Sequence, residues 1–217
     1  MIVAMEGPSA VGKTTWCRLH CPKGFVEAAP ENIPAPDLYA DPKEVAQFWV
    51  NFNIRRWHAA LEMEREQGIA VCDGDPFGLC FSWAVWKAGA IPGMLFEIEL
   101  PLYRRAIEER RLGFADAVIW FDAPLEELRQ RAKSDTTRRR KRHELYLKMI
   151  PWMKAWADAR QQALPGTVRA CPDDFRVEDL ANEPALARRY DPAVLDEMMK
   201  ALDAGDSYSK TAGASSI

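Results

Sequence analysis

The sequence predicts a three-layer α/β fold, a five-stranded parallel sheet with helices on both faces. Three observations predict it. Short, continuously apolar runs recur at Met1–Met5 (MIVAM), Ile69–Cys72 (IAVC) and Ala117–Phe121 (AVIWF). Such runs mark strands covered on both sides, as parallel strands are. Stretches with helical spacing of apolar residues separate them, which supplies the crossovers a parallel sheet needs. The first run also opens directly into a glycine-bearing loop. In 217 residues there is room for one sizeable core and not for two ordinary domains, so one domain is expected over about 1–203.

Taken in order, Met1–Met5 is the first strand and a helix follows from Lys13 to about His20, stopped by Pro22 and Gly24. Phe25–Glu27 reads as a short second strand. Pro30, Pro34 and Pro36 make 28–41 a loop, and a loop of that length points to function. From Pro42 to Gln67 no proline or glycine interrupts, and Val45, Phe48, Phe52, Trp57, Ala60 and Leu61 fall on helical spacing. Asp41 is the N-cap of that long helix and Gly68 its stop. Ile69–Cys72 is the third strand. Phe77–Lys87 and Met94–Arg111 are helices, the second bent at Pro101, and Ala117–Phe121 is the fourth strand. A helix starts at Pro124, a basic segment runs to Arg142, and His143–Gln162 is helical with an interruption or kink at Pro151. Thr167–Ala170 is the fifth strand, helical segments begin at Val177 and Pro192, and residues 204–217 read as a mobile, small and polar tail.

Composition excludes several classes. Hydrophobic residues at 48% and charged residues at 28% describe a folded chain, and no apolar run reaches the ~20 residues a membrane helix requires. With 29 basic and 32 acidic residues the net charge is −3, so no global field draws the chain to nucleic acid or an anionic membrane. Five scattered cysteines read as thiols in a reducing compartment, and the cytoplasm is the expected location. Cys17, His20 and Cys21 share a helical face, yet no further residue is spaced to complete a four-ligand metal site.

The chemistry begins at Gly7, Pro8, Ser9, Ala10, Val11, Gly12, Lys13 and Thr14, which match GxxxxGK[ST], the phosphate-binding loop or Walker A motif, with Thr15 following. Its glycines let backbone N–H groups converge on phosphate oxygens, Lys13 reaches toward the β and γ phosphates, and the Thr14 hydroxyl is placed to ligate Mg2+. A strand before and a helix after are the context in which the motif carries this meaning. ATP is the expected phosphate source.

A second feature is the basic run. Arg129, Arg131, Lys133 and the five residues Arg138–Arg142 face only Asp135 in the same stretch. It reads either as a solvated or nucleic-acid-binding face, or as a lid over about 133–143. A lid would bring Arg131, Arg138, Arg139 and Arg140 to the charge on a transferring phosphoryl group.

The loop GPSAVGKTT, Glu27 in FVEA, the segment LYADPKEVAQFW (38–49) and RQRAKSDTTRRRKRHELYL (129–147) occur in the order found in deoxynucleoside kinases. Over roughly residues 1–175 the chain resembles that family, within the wider group that includes thymidylate kinase. The resemblance implies a P-loop kinase fold with an arginine-rich lid. It implies Glu27 as general base on a sugar hydroxyl, Tyr39 on the neighbouring hydroxyl and Gln47 on the base edge. Phe48, Trp83 and Trp86 are candidate pocket walls, with core packing as the alternative reading of each aromatic. Asp73, at the end of the third strand, is a candidate metal ligand and the rival for the base. Asp174, with Asp173 and Phe175, falls where the adenine loop of these kinases lies.

One departure bears on the acceptor. Where the family carries an acid, an arginine and usually a serine, this chain has Asp73, Gly74 and Asp75. The missing arginine could be replaced by Arg55, Arg56, Arg104 or Arg105. Two carboxylates without it favour an uncharged or cationic acceptor. The expected function is ATP-dependent phosphorylation of a nucleoside-like hydroxyl. The alternatives are a nucleoside monophosphate kinase, an antibiotic phosphotransferase, or a regulatory nucleotide-binding module that contacts nucleic acid. A small-molecule acceptor is the expected partner, neither a membrane nor a nucleic acid is expected, and a homodimer is left open.

Overall fold

The computed structural model describes residues 1–29, 33–136, 142–172, 174–180 and 183–213, with side chains up to residue 204. Four strands, β1 (Ile2–Glu6), β2 (Ala70–Asp73), β3 (Ala117–Trp120) and β4 (Val168–Ala170), form one parallel sheet in the order β2-β1-β3-β4. Met5 pairs with Asp73 on one side and Ile119 on the other, so the carboxyl ends of three strands lie level. From β1 the chain builds one half of the sheet through β2 and the other through β3 and β4. The crevice outside the carboxyl end of β1 is therefore the point where strand order reverses, the place where open α/β sheets take ligands.

Among the described residues the sheet has four strands and not five. Phe25–Glu27 contributes only a single parallel bridge, Val26 to Cys72. Its two hydrogen bonds are Val26 N to Val71 O at 2.8 Å and Asp73 N to Val26 O at 2.9 Å. Gly24, at φ 100°, turns the chain immediately before it, and no further ladder bond extends it, so the segment lies beside β2 without becoming a strand.

Helices α1 (Lys13–His20), α2 (Pro42–Gln67), α3 (Leu79–Lys87), α4 (Met94–Glu108), α5 (Leu125–Ser134), α6 (His143–Ala163) and α7 (Pro192–Gly213) complete the chain with a 3₁₀ turn at Val177–Leu180. Asp41 caps α2 by accepting from Lys43 N and Glu44 N, and Gly68 ends it at φ 80°, as the sequence predicts. Pro101 and Pro151 sit inside α4 and α6 without breaking either. The helix expected to reach Arg111 stops at Glu108, because Arg110 turns left-handed at φ 56°. Residues 204–213 of the expected tail continue α7, and 214–217 lie outside the described residues.

Strand side chains alternate between two apolar layers. Ile2, Ala4, Ala70, Cys72 and Val118 pack under α2, α3, α4, α6 and α7, whereas Val3, Met5, Val71, Ala117 and Ile119 pack against α1 and the 3₁₀ turn. Trp83 lies in the first layer at 3% exposure, its ring 5.9 Å from Trp152 and 5.8 Å from Trp156. Trp83→Ala is therefore expected to lower unfolding free energy by about 3–5 kcal/mol. Denaturant titration measures the loss. Glu99 of α4 is buried in the same layer, and desolvation raises its carboxyl from 4.5 to about 7, offset in part by a hydrogen bond to Ser82. Because the folded state holds this proton more tightly than the unfolded one, Glu99 makes stability fall as pH rises from about 4.5 to 7. In Glu99→Gln that decline is expected to flatten, which denaturation across the range would detect.

Candidate active site

β1 ends on Glu6 and the chain turns at Gly7, φ 136°. A Cβ at this position would lie 2.2 Å from Phe121 O, so only glycine passes beneath the end of β3. The loop reverses through Ala10 at φ 70° and Gly12 at φ 110°, and Gly12 becomes the N-cap of α1. No side chain caps that helix and its first turn holds no acid, so its N-terminal positive end is directed at the crevice. Lys13 Nζ donates to Gly7 O at 2.7 Å and to Pro8 O at 3.0 Å, which folds the ammonium over the loop. Val11 packs under Leu128, Leu147 and Ile150 of α5 and α6. Arg131 donates to Val11 O at 2.7 Å and pairs with Glu127. One arginine of the expected lid thus rests on the loop, whereas Arg138, Arg139 and Arg140 lie outside the described residues. Pro8 is buried, Ser9 and Ala10 half-buried, and Thr15 exposed.

Asp73 closes β2 at 3% exposure, and the Thr14 hydroxyl donates to its Oδ2 at 2.5 Å. Two hard oxygens meet beside the loop lysine, a donor set that suits Mg2+, which takes one or two protein oxygens and completes its shell with phosphate and water. Among the described residues no group of three or more histidines, cysteines or carboxylates forms a metal cage. Glu6 receives Asp75 N at 2.6 Å and Gly7 N at 3.3 Å. Burial pushes its carboxyl up, partly opposed by the Lys13 charge.

At the departure noted in the sequence, both Gly74 and Asp75 are met by an arginine. Asp75 turns to the buried Arg160 of α6, Oδ2 to NH1 at 2.8 Å, and Arg160 NH2 also donates to Ala115 O at 2.6 Å. Desolvation lowers the Arg160 pKa, and the Asp75 charge opposes that shift. Beside Gly74 lies Arg56 of α2, whose NH2 would be 3.9 Å from a Cβ at position 74. Arg56 donates to Asp73 O at 2.9 Å, Gly74 O at 2.7 Å, Asp75 O at 3.2 Å and Glu27 O at 3.0 Å. Arg55 stays over the Phe52 ring, and Arg104 and Arg105 pair with Glu108, Asp196 and Glu109.

The site therefore gathers the loop 7–14, Asp73, Arg131 and the main chain at Glu27, whose side chain is exposed. Tyr39 is 80% exposed. Gln47 reaches Asn51 at 3.0 Å, and Phe48 meets Trp49 edge-on. Trp86 stacks on Phe96 at 5.6 Å. Asp174 is exposed next to Phe175, which stacks on Trp16 of α1 at 5.5 Å, and Asp173 lies outside the described residues. Sequence reasoning missed Glu6 and Arg160. Glu6 had a signal, an acid set between an apolar strand and a glycine loop; Arg160, a lone arginine in a mixed helix, had none.

The chain matches no protein-family model and no curated protein. Among solved structures, deoxyadenosine kinase from M. mycoides with bound dATP aligns with a TM-score of 0.55 at 15% identity, over 82% of this chain and 94% of that one. The same enzyme with dCMP and dCDP aligns at 0.53 and 14% identity, over 83% and 95%. With dCTP it aligns at 0.51 and 14% identity over the same shares. The fold is deoxynucleoside kinase-like. No helix among the described residues is long and apolar enough to cross a membrane, and none of the five cysteines forms a disulfide.

Proposed function

We propose that this chain is a magnesium-dependent phosphotransferase that moves the γ-phosphoryl group of ATP to a hydroxyl of a nucleoside-like small molecule. The observation that carries the reading is the contact of Thr14 with Asp73 at the mouth of the 7–14 loop, on a kinase-like fold. Thr14 and Asp73 would hold the metal, which when bound draws charge from the phosphate oxygens. Lys13 and the N-terminus of α1 bind the triphosphate and orient it. Glu27 takes the proton of the acceptor hydroxyl as its oxygen bonds to phosphorus and ADP leaves. Arg131, held on the loop by its bond to Val11 O, adds positive charge beside the phosphates, with the arginines at 138–140 as the remainder of the lid.

A neutral acceptor is favoured. Asp75 is matched by Arg160, and Arg56 spends four N–H bonds on main-chain carbonyls, which leaves it one of its five N–H donors to grip an acceptor phosphate. A reducing compartment, the cytoplasm, suits the five thiols.

The test is ADP formation from ATP and magnesium with and without a panel of nucleosides, nucleotides and hydroxylated antibiotics. Acceptor-dependent ADP is the expected result. Salt-sensitive RNA or DNA binding with no acceptor dependence would instead favour the regulatory module.

A further inference from the structure

We infer that Arg56 is a positioning residue that locks the Glu27 segment to the Asp73–Asp75 turn, and that it does so by geometry and not by charge alone. The inference rests on the proposed role of Glu27 as the base. The segment around Glu27 is not a strand, and Val26 holds it to β2 through one bridge. Arg56 reaches from the middle of α2 and spans the gap. Its Nε donates to Glu27 O, NH1 to Asp75 O, and NH2 to Asp73 O and Gly74 O, at 2.7 to 3.2 Å. Among the described residues all four hydrogen-bond acceptors are main-chain carbonyls.

That acceptor set has a mechanical meaning. A guanidinium is a rigid planar fork with donors on three nitrogens, so one side chain fixes four carbonyls relative to one another. Two of those carbonyls belong to Glu27 and Asp73, the two candidate acids of the site. Gly74 takes the left-handed φ of 80° that favours glycine, and it lies close enough to Arg56 for a Cβ there to be in ordinary contact with NH2 at 3.9 Å. The long helix α2 thereby supplies from a distance the cation absent from the turn itself. A lysine would bring the same charge on a single nitrogen and could not span from Glu27 O to Asp75 O.

The test uses Arg56→Lys and Arg56→Ala in the full chain, with melting temperature as the check on folding. In both variants kcat is expected to fall by about tenfold or more, the scale on which a displaced catalytic group loses rate, with KM for ATP changed far less. Guanidinium ion should restore part of the rate in Arg56→Ala, and ammonium should not. Independently of activity, amide exchange at Val26 and Asp73 should accelerate in Arg56→Lys, since these two amides make the single bridge. Wild-type rates and unchanged exchange in Arg56→Lys would overturn the inference. If the wild-type protein forms no acceptor-dependent ADP, the proposed function fails, and the exchange measurement still decides whether Arg56 is the lock.

Discussion

Lys13→Ala is expected to abolish acceptor-dependent ADP formation while leaving the fold intact. The lysine belongs to no core. Its ammonium donates to the loop carbonyls Gly7 O and Pro8 O, and its backbone is the first residue of α1, where alanine is well tolerated. What the substitution removes is a positive charge over the site where the β and γ phosphates would lie, in a crevice already bounded by the carboxylates Glu6 and Asp73. Without it the γ phosphate would meet like charge, and orientation and charge stabilisation, which dominate phosphoryl transfer, are lost together. Circular dichroism and melting should match the wild type. Retained turnover with unchanged ATP affinity would remove the loop from the mechanism.

Glu27→Gln is expected to lower kcat by about 10²-fold or more, the scale of a general base, and Asp73→Asn by less. The structure separates the two acids physically. Asp73 is 3% exposed and accepts the Thr14 hydroxyl, which commits one oxygen to the metal side of the crevice. Glu27 projects an exposed carboxylate from a segment whose main chain is held by Arg56, so it is free to approach an incoming hydroxyl. Steady-state kinetics at saturating ATP and acceptor decides the order. The reverse ranking would make Asp73 the base and Glu27 a bystander.

The parts legible in the sequence are those set by local chemistry. The loop 7–14, the Asp41 cap, the Gly68 stop and the buried runs of β1, β2 and β3 each follow from residues within a few positions of one another. Phe25–Glu27 misled, because three strand-like residues satisfy propensity but cannot show whether a ladder extends beyond one bridge. Pro101 and Pro151 each lie inside a continuous helix, so the interruption expected at Pro151 does not occur: tertiary packing of a long helix outweighs one lost hydrogen bond. The arginine relations were beyond local reading. Arg56 was one of four candidates for the cation missing at Gly74, and only three-dimensional proximity separates it from Arg55, one residue away but turned to Phe52. Arg160 meets Asp75 across 85 positions of chain, a distance at which sequence pattern carries no information. Trp83 shows the same limit for aromatics, since helical spacing fits a pocket wall and a core residue alike.

The most direct measurement of the central claim is a comparison of kcat/KM for thymidine, deoxycytidine and deoxyadenosine with that for their 5′-monophosphates, at fixed ATP and magnesium, with the phosphorylated product identified by mass. Transfer to the nucleoside hydroxyl is expected, with the nucleosides preferred. A monophosphate preferred by tenfold or more, or no phosphorylated product from any acceptor, would contradict it.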